Sequence, residues 1–509
     1  MTGLIIEGGV YFLLLFTPFA FGGVEMWAQG VVQIISGVVF TAWCWERLGN
    51  GRETNRVSPA TPGVARALRV IWVTIGLFVL LIGLQLVPLS PDWIRTISPS
   101  THELYSRAIP GYAGGTPMEP SELSSWLVAT SLDRMPQAFR TRPAAQTPGG
   151  PRESSVPPTG PTFARTLSIY PHETRNHLAQ FLCYAGLFAV VTGYFRSKER
   201  LRRLLAVAVF SGFALSIFGV IQRLTWNGKL FWIREGNYPS PFGPFVNRNS
   251  YAAFAGTVLP VALCLGLGML RQFDNRRPGA MARVFLLGFA AVTILGGISL
   301  SLSRGGMLSA VVSLAAVAAM LVYYGRSGRD LGLLGILGAL VIAFLAWVGP
   351  EKVIERVGTM SGGQSIPSMV SRLETWKRSL DMVAGNPLVG TGLGTYAFGF
   401  MRSAPPGEGW WTTAHNEYLE LLCDTGLVGG AIFIAGMAAW LFIILRPGRF
   451  RERSDRFAFM GLSSGILGLL LHSVVSSNLQ VPANALLLVL FGGAMVSLVL
   501  ISEKQRGTS

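Results

Sequence analysis

Long apolar runs alternate along the chain with short polar connections. Residues 70–87, VIWVTIGLFVLLIGLQLV, and 331–349, LGLLGILGALVIAFLAWVG, carry no charge. A helix rises 1.5 Å per residue, so crossing about 30 Å of hydrocarbon takes roughly 20 apolar residues. Both runs are close to that length. No period-two alternation passes through them, which argues against a β-barrel. The pattern predicts an all-α integral membrane protein with long extracytoplasmic loops. About twelve transmembrane helices are expected, near 4–22, 28–45, 69–88, 177–195, 204–222, 250–270, 284–302, 306–324, 331–349, 426–445, 458–476 and 482–501. The organisation that follows is N-terminal spans over 1–88, a long loop over 89–176, central spans over 177–349, a second long loop over 350–416 and C-terminal spans over 417–509.

Composition sharpens this picture. Of the 509 residues, 50% are hydrophobic and 13% charged, against about 25% charged in an average soluble domain. The first apolar run lacks a basic segment before it and a small-residue cleavage site after it, so a retained span is expected rather than a signal peptide. Cys44, Cys183, Cys264 and Cys423 are scattered and form no CxxC pair. Neither a disulfide framework nor a zinc site is expected, and no cofactor is implied.

The formal charge of +16 raises nucleic acid as a partner, but its distribution points to membrane topology instead. The connections ERLGNGRETNR, RSKERLRR, RQFDNRRPGAMAR and RPGRFRERSDRF are short, dense in Arg and Lys, and share one side of the expected bundle. The positive-inside rule makes that side cytoplasmic and places both termini there. Loops 89–176, 223–249 and 350–416 then face outward. The middle of the first, RTRPAAQTPGGPRESSVPPTGPT, reads as disordered. No ATP is available on that side, so chemistry there needs a substrate that arrives already activated.

Candidate chemistry gathers at the outward edges. SLSRGGML forms a tight outer turn in this topology, with Gly305 and Gly306 supplying the bend and Arg304 near the interface. An arginine at mid-bilayer costs about 2.5–3.5 kcal/mol. Arg304 is therefore either a snorkelling anchor or a fixed cation for an anionic substrate. Farther on, Leu373, Trp376, Leu380 and Val383 recur at helical spacing and predict an amphipathic helix at the membrane surface, ended by GNP. Arg372 and Lys377 or Arg378 on it face either a substrate or lipid headgroups. GTGLGT is either a flexible turn or a set of backbone N–H groups for phosphate. In SPFGPFVNRNSYAAF, Asn247, Arg248 and Asn249 stand just outside a span. Their amides suit sugar hydroxyls, since each both donates and accepts. Asn249 is equally a helix N-cap candidate. LSIYPHETRNHLAQ adds His172, Arg175 and His177, by default interfacial anchors.

His415 sits where the 350–416 loop meets the next apolar run, and its ordinary pKa is near 6.5. A lone histidine at a helix start is most often structural, but here the outward loops supply arginines around it. Arginine keeps its charge and forks onto phosphate oxygens. Several arginines and one histidine suit attack by a hydroxyl on a carbon whose leaving group is a phosphate. The base takes the proton, typically worth about 10²–10⁴ in rate, and the arginines stabilise the departing charge. Glu417, Glu420 and Asp424 follow with no second carboxylate group evident, so no metal site is read. Asn416 is placed to orient the ring or a sugar, and Gly426 and Gly429 to let the following helix pack closely.

These residues resemble the O-antigen ligase and O-antigen polymerase superfamily of bacterial membrane glycosyltransferases. The ligases carry H[NSQ]x9Gxx[GTY]. His415-Asn416, nine residues, then Gly426 and Gly429 match every specified position. LSRGGML resembles the family's Ser-Arg-Gly turn, and SRLETWKRSLDMVAGNPLVGTGLGTY the segment before its histidine. The resemblance is firm over about 300–430 and more diffuse over 165–300, where GPFVNRNSYAAF is similar.

The resemblance implies a GT-C-like bundle and a lipid-linked glycan donor, commonly on undecaprenyl pyrophosphate, used at the periplasmic face of the bacterial inner membrane. The acceptor is lipid A-core oligosaccharide for a ligase, or a growing O-antigen or exopolysaccharide for a polymerase. It further implies His415 as the base, Arg304 and Arg372 as pyrophosphate ligands, and a reaction independent of metal and ATP. Asn416, Arg248, Asn247, Asn249, Arg378 and Arg175 are then candidate substrate-binding residues. The 89–176 loop is longer than in compact ligases and reads as an insert for acceptor recognition or partner docking. Membrane lipids are expected partners, and nucleic acid is not. A reading of another class is a transporter or flippase of lipid-linked sugar, which would want charges within spans and an internal repeat.

Overall fold

The computed structural model describes residues 1–49, 61–109, 112, 164–236, 240–271, 279–324, 332, 335, 366–403, 412–445, 450 and 452–507. The span expected over 331–349, Gly332 and Gly335 apart, and the Pro-rich middle of the 89–176 loop lie outside the described residues. The helices in chain order are α1 (Thr2–Phe19), α2 (Met26–Gly49), α3 (Pro62–Leu86), α4 (Pro91–Ile97), α5 (Pro99–Ala108), α6 (Pro171–Tyr194), α7 (Lys198–Leu224), α8 (Arg248–Arg271), α9 (Ala280–Leu300), α10 (Arg304–Tyr324), α11 (Ile366–Gly385), α12 (Tyr396–Ser403), α13 (Glu417–Ile444), α14 (Arg453–His472) and α15 (Pro482–Gly507). Among the described residues, β-pairing is confined to isolated bridges such as Leu89 with Arg165.

Ten of the described helices are long and apolar enough to cross a membrane. Helix α14 covers the span expected over 458–476 but is more polar, with Arg453, Asp455 and Arg456 in its first turn. The outer surface is apolar too: Leu80 on α3 is 68% exposed and Phe285 on α9 is 71% exposed. Water would penalise such stripes at about 25 cal/mol per Å², whereas lipid does not. With every described span helical, backbone polar groups are satisfied within each segment. This is an all-α integral membrane protein.

Helices α8 and α15 form the centre, each with 83% of its apolar window buried. Helix α14 packs against α8 through glycines. A Cβ on Gly461 would stand 2.8 Å from the Cα of Val261, and one on Gly465 would stand 2.2 Å from the carbonyl oxygen of Thr257. Small residues four apart let two backbones approach where no hydrophobic drive separates protein from lipid.

The two ends of the bundle differ in chemistry. At one end Arg203 pairs with Glu7 through two bonds of 2.9 and 2.8 Å, Lys198 lies 3.2 Å from Asp455, and Glu503 accepts from Thr61. Lys198 and Arg202 of RSKERLRR there meet Glu452, Ser454 and Asp455, which stand at the start of α14. The other end gathers the segments after α3, α7, α9 and α14 and those before α6, α8, α10 and α13. His415 lies at this second end.

Candidate functional site

Helix α13 starts at Glu417 because Asn416 caps it, its Oδ1 accepting from the N–H groups of Tyr418 and Leu419, each at 3.1 Å. Asparagine is among the best residues for that position. The amide oxygen expected to orient a ring or a sugar is thereby committed to the helix. Just before the cap, His415 has φ 52°, in the left-handed region that few non-glycine residues adopt. Its neighbours over-determine the strain. The Ala414 N–H donates at 2.6 Å to Oε1 of Glu420, and the Ala414 carbonyl accepts at 2.9 Å from the Trp376 indole. The Glu417 N–H donates to the Ser473 carbonyl at 2.9 Å. Such strain, of order 1–3 kcal/mol, persists where surroundings enforce it and clusters at functional sites. The imidazole is half-buried. Burial first, and the Arg372 guanidinium second, push its pKa down from 6.5 to about 4. The ring is neutral at pH 7, so one of its nitrogens keeps a lone pair.

Arg372 reaches the same place from α11, where its Nη1 donates to the Val475 carbonyl at 3.3 Å. Burial lowers its pKa, but a guanidinium stays charged in proteins. Val475 belongs to the turn over 473–481, between α14 and α15, which sequence reasoning passed over. This turn frames the site. His472, 2% exposed, ends α14 with its Nε2 2.7 Å from where a Cβ on Gly305 would stand, and Val475 Cγ2 is 3.4 Å from the same point. The turn that Arg372 grips is therefore packed against the residue after Arg304.

Gly305 and Gly306 do not supply the bend expected of them. They lie in the first turn of α10, and the chain reverses at Leu302, φ 55°. Ser303 then caps the helix, accepting from the Gly306 N–H at 3.1 Å. The glycines serve close packing instead: a Cβ on Gly306 would fall 2.3 Å from that of Ala252. Arg304 is the first residue of α10 and is exposed.

Ser303 also donates to Oδ1 of Asn249 at 2.7 Å, joining the Arg304 turn to Asn247, Arg248 and Asn249. The cap expected at Asn249 falls on Asn247, whose Oδ1 accepts from the Asn249 N–H at 2.8 Å. Arg248 lines a cavity beside Leu302. Arg378 pairs with Glu374 on its own helix at 3.2 Å, and Arg175 is exposed on the first turn of α6. The structure thus joins the Arg304 turn, Arg372, His415 and Asn416 around the 473–481 turn, with Asn247, Arg248 and Asn249 alongside. No described contact brings Arg175 into that group.

The acids after His415 have a supporting role that their spacing did not reveal. Glu417 accepts from the Leu479 N–H at 3.0 Å, and Glu420 accepts from the Ser477 hydroxyl and the Gln480 amide. Asp424 accepts from the Gly394 N–H at 2.6 Å. GTGLGT is accordingly neither a flexible turn nor a phosphate cradle. Its N–H groups go to the protein: Thr391 to the Cys423 carbonyl, Gly392 to the Asp424 carbonyl and Leu393 to Oε1 of Gln85. Gln85, fully buried on α3, also donates to the Val389 and Asp424 carbonyls. The sequence signal that was present is a polar Gln at the end of an otherwise apolar run.

Gly426 allows the close approach expected of it and also breaks α13: at φ 64°, ψ −169° it interrupts the helix, and Leu427 and Val428 donate to the carbonyls of Pro387 and Leu388. On α11 the stripe of Leu373, Trp376, Leu380 and Val383 divides, with Leu373 55% and Leu380 57% exposed. The inward face is Thr375, Ser379 and Met382, and the Ser379 hydroxyl meets that of Tyr396 at 2.9 Å. Polar partners on α12 and α13 decide the helix's rotation.

Residues 289–434 match the family model described as O-Antigen ligase. The matched stretch holds Arg304, Arg372, His415, Asn416, Gly426 and Gly429, and ends before the 473–481 turn. The match supports a place for this stretch in the O-antigen ligase and polymerase superfamily. It supports an enzyme in general, and the family implies lipid-linked sugar and polysaccharide as general classes of partner. Comparison with curated proteins gives no match.

Proposed function

We propose that this protein transfers a glycan from undecaprenyl pyrophosphate to a hydroxyl acceptor at the periplasmic face of the bacterial inner membrane, in the manner of an O-antigen ligase. The observation that carries this reading is His415, strained, half-buried and neutral beside Arg372, at the bundle end opposite the basic connections. The acceptor O–H gives its proton to the imidazole as its oxygen bonds to the anomeric carbon, and the bond from that carbon to the diphosphate breaks. Arg372 and Arg304 stabilise the leaving diphosphate, charge meeting charge where it develops. Donor binding has a second effect in this scheme. Diphosphate oxygens beside Arg372 offset its positive charge, which raises the proton affinity of His415 when the acceptor must be deprotonated. Activation of the donor in advance removes any need for ATP, and guanidinium groups supply the positive charge that a metal would otherwise bring.

The test is the surface-glycan profile of a deletion strain complemented with wild type, His415→Ala or Arg304→Ala, with membrane insertion verified. Loss of glycan attachment with polymer intact supports the ligase reading, and accumulation of single repeat units makes it a polymerase. Normal glycan with His415→Ala removes the base from the mechanism and favours a transporter.

A further inference from the structure

Asn416 caps helix α13, yet a second side chain reaches back over the helix start. In a capping box the returning Glu or Gln stands three residues after the cap, and here that position is Leu419. Glu420, one residue later, reaches past the cap to accept from the Ala414 N–H at 2.6 Å. The N–H groups of Tyr418 and Leu419 are already served by Asn416. Glu420 is 2% exposed, and among the described residues no lysine or arginine pairs with it. Burying such a group is unfavourable unless hydrogen bonds offset it. Capping does not account for its place.

Its partners do. Oε1 accepts from the Ala414 N–H and the Ser477 hydroxyl, and Oε2 accepts from the Gln480 amide. Ala414 is fully buried and precedes His415. Ser477 and Gln480 belong to the 473–481 turn, whose Val475 carbonyl accepts from Arg372. Base and cation are thus joined by one run of bonds, from His415 through Ala414, Glu420 and the turn to Arg372. Trp376, four residues after Arg372 and on the same side of α11, closes the loop by donating to the Ala414 carbonyl at 2.9 Å. Released from this clamp, a histidine at φ 52° would relax toward the ordinary backbone regions and carry its imidazole with it.

We infer that Glu420 is a positioning residue that fixes the separation of His415 from Arg372, through hydrogen bonds to Ala414 on one side and to Ser477 and Gln480 on the other. Its consequence rests on the glycan-transfer reading, in which that separation sets a base and a leaving-group cation about one anomeric carbon. A misplacement of about 1 Å in such a pair lowers a rate by up to about 10².

The experiment is an NMR titration of His415 in the full-length protein in neutral detergent, with histidine labelled at Cε1 and the signal assigned by its loss in His415→Ala. Glu420→Ala should move the midpoint to higher pH by at least about 0.5, as the imidazole leaves the Arg372 charge. Adding Arg372→Gln should then shift it by less than half of what that substitution does alone, the mark of a coupling already broken. Glu420→Gln keeps an acceptor for Ala414 and Ser477 while the exposed Gln480 amide turns over, and should titrate as wild type. Ser477→Ala with Gln480→Ala cuts only the tie to the turn and should move the midpoint the same way, which keeps the test decisive if Glu420→Ala fails to fold. An unmoved midpoint in the folded variants, or Glu420→Gln shifted as far as Glu420→Ala, overturns the inference. No turnover is needed, so that failure would leave the glycan-transfer reading standing. In the transfer assay Glu420→Ala should lower kcat by about 10–10² with the donor KM unchanged. A loss confined to KM also overturns the inference, whereas normal transfer by His415→Ala sinks the reading and leaves the titration to decide the positioning role.

Discussion

His415, the proposed proton acceptor, takes its basicity from what surrounds it. Burial and the Arg372 charge push its pKa down to about 4. A histidine with a depressed pKa is neutral above that value, so the base form persists upward from about pH 4 and is lost only as pH falls through it. Arg372→Gln removes the smaller of the two causes. The acidic limb of the transfer profile for kcat/KM, which reports the free enzyme, should therefore move to higher pH while the rate falls. An unmoved limb would mean that Arg372 does not act on His415. His415→Ala should lower transfer by about 10²–10⁴, the usual worth of a general base. Asn416 works differently, through the cap: Asn416→Ala should cost about 1 kcal/mol in thermal unfolding and Asn416→Ser much less, because serine keeps the acceptor.

Elements meet at this site by inserting backbone into backbone. The 387–389 segment fills the break at Gly426, where φ 64° with ψ −169° belongs to a region essentially confined to glycine. A Cβ there would stand 2.4 Å from the Leu388 carbonyl carbon and oxygen. Gly426→Ala should therefore cost several kcal/mol and abolish well-folded protein in a detergent unfolding assay. At Gly430 the nearest obstacle is Leu422 Cδ2 at 2.7 Å, the far end of a flexible side chain, so Gly430→Ala should fold. Gln85→Leu should also destabilise by a few kcal/mol, since three backbone groups lose a buried partner at about 1–3 kcal/mol each. This scale marks where the sequence stops being legible. Most described spans follow from apolar length alone, and His415, Arg304 and Arg372 from their motifs. The role of Gln85 depends on partners more than 300 positions away, and that of Glu420 on Ser477 and Gln480 across a helical hairpin. Periodicity within one segment carries no trace of such pairings. Nor does it show that Thr375 and Ser379 face inward, because their polar partners are provided only by the assembled bundle.

For the whole molecule, the consequence of the fold is polarity from end to end. Glu7, Lys198, Arg203, Asp455 and Glu503 interlock at one end, and His415, Arg304, Arg372 and the 473–481 turn meet at the other. Since the spans are helical and their connections alternate, one labelled position at each end decides which end faces the cytoplasm. Thr412 is exposed three residues before His415, and Arg202 is exposed near the start of α7. In a Cys44→Ser, Cys183→Ser background, which leaves the buried Cys264 and Cys423, each site can carry a single introduced cysteine. A maleimide that cannot cross the inner membrane should label Thr412→Cys in intact cells and leave Arg202→Cys unlabelled, with the pattern reversed in inside-out vesicles. The opposite pattern would put His415 on the side that holds ATP. Donor activation would then no longer require a lipid carrier delivered across the membrane, and the proposed donor, rather than the base, would be the part of the mechanism to give up.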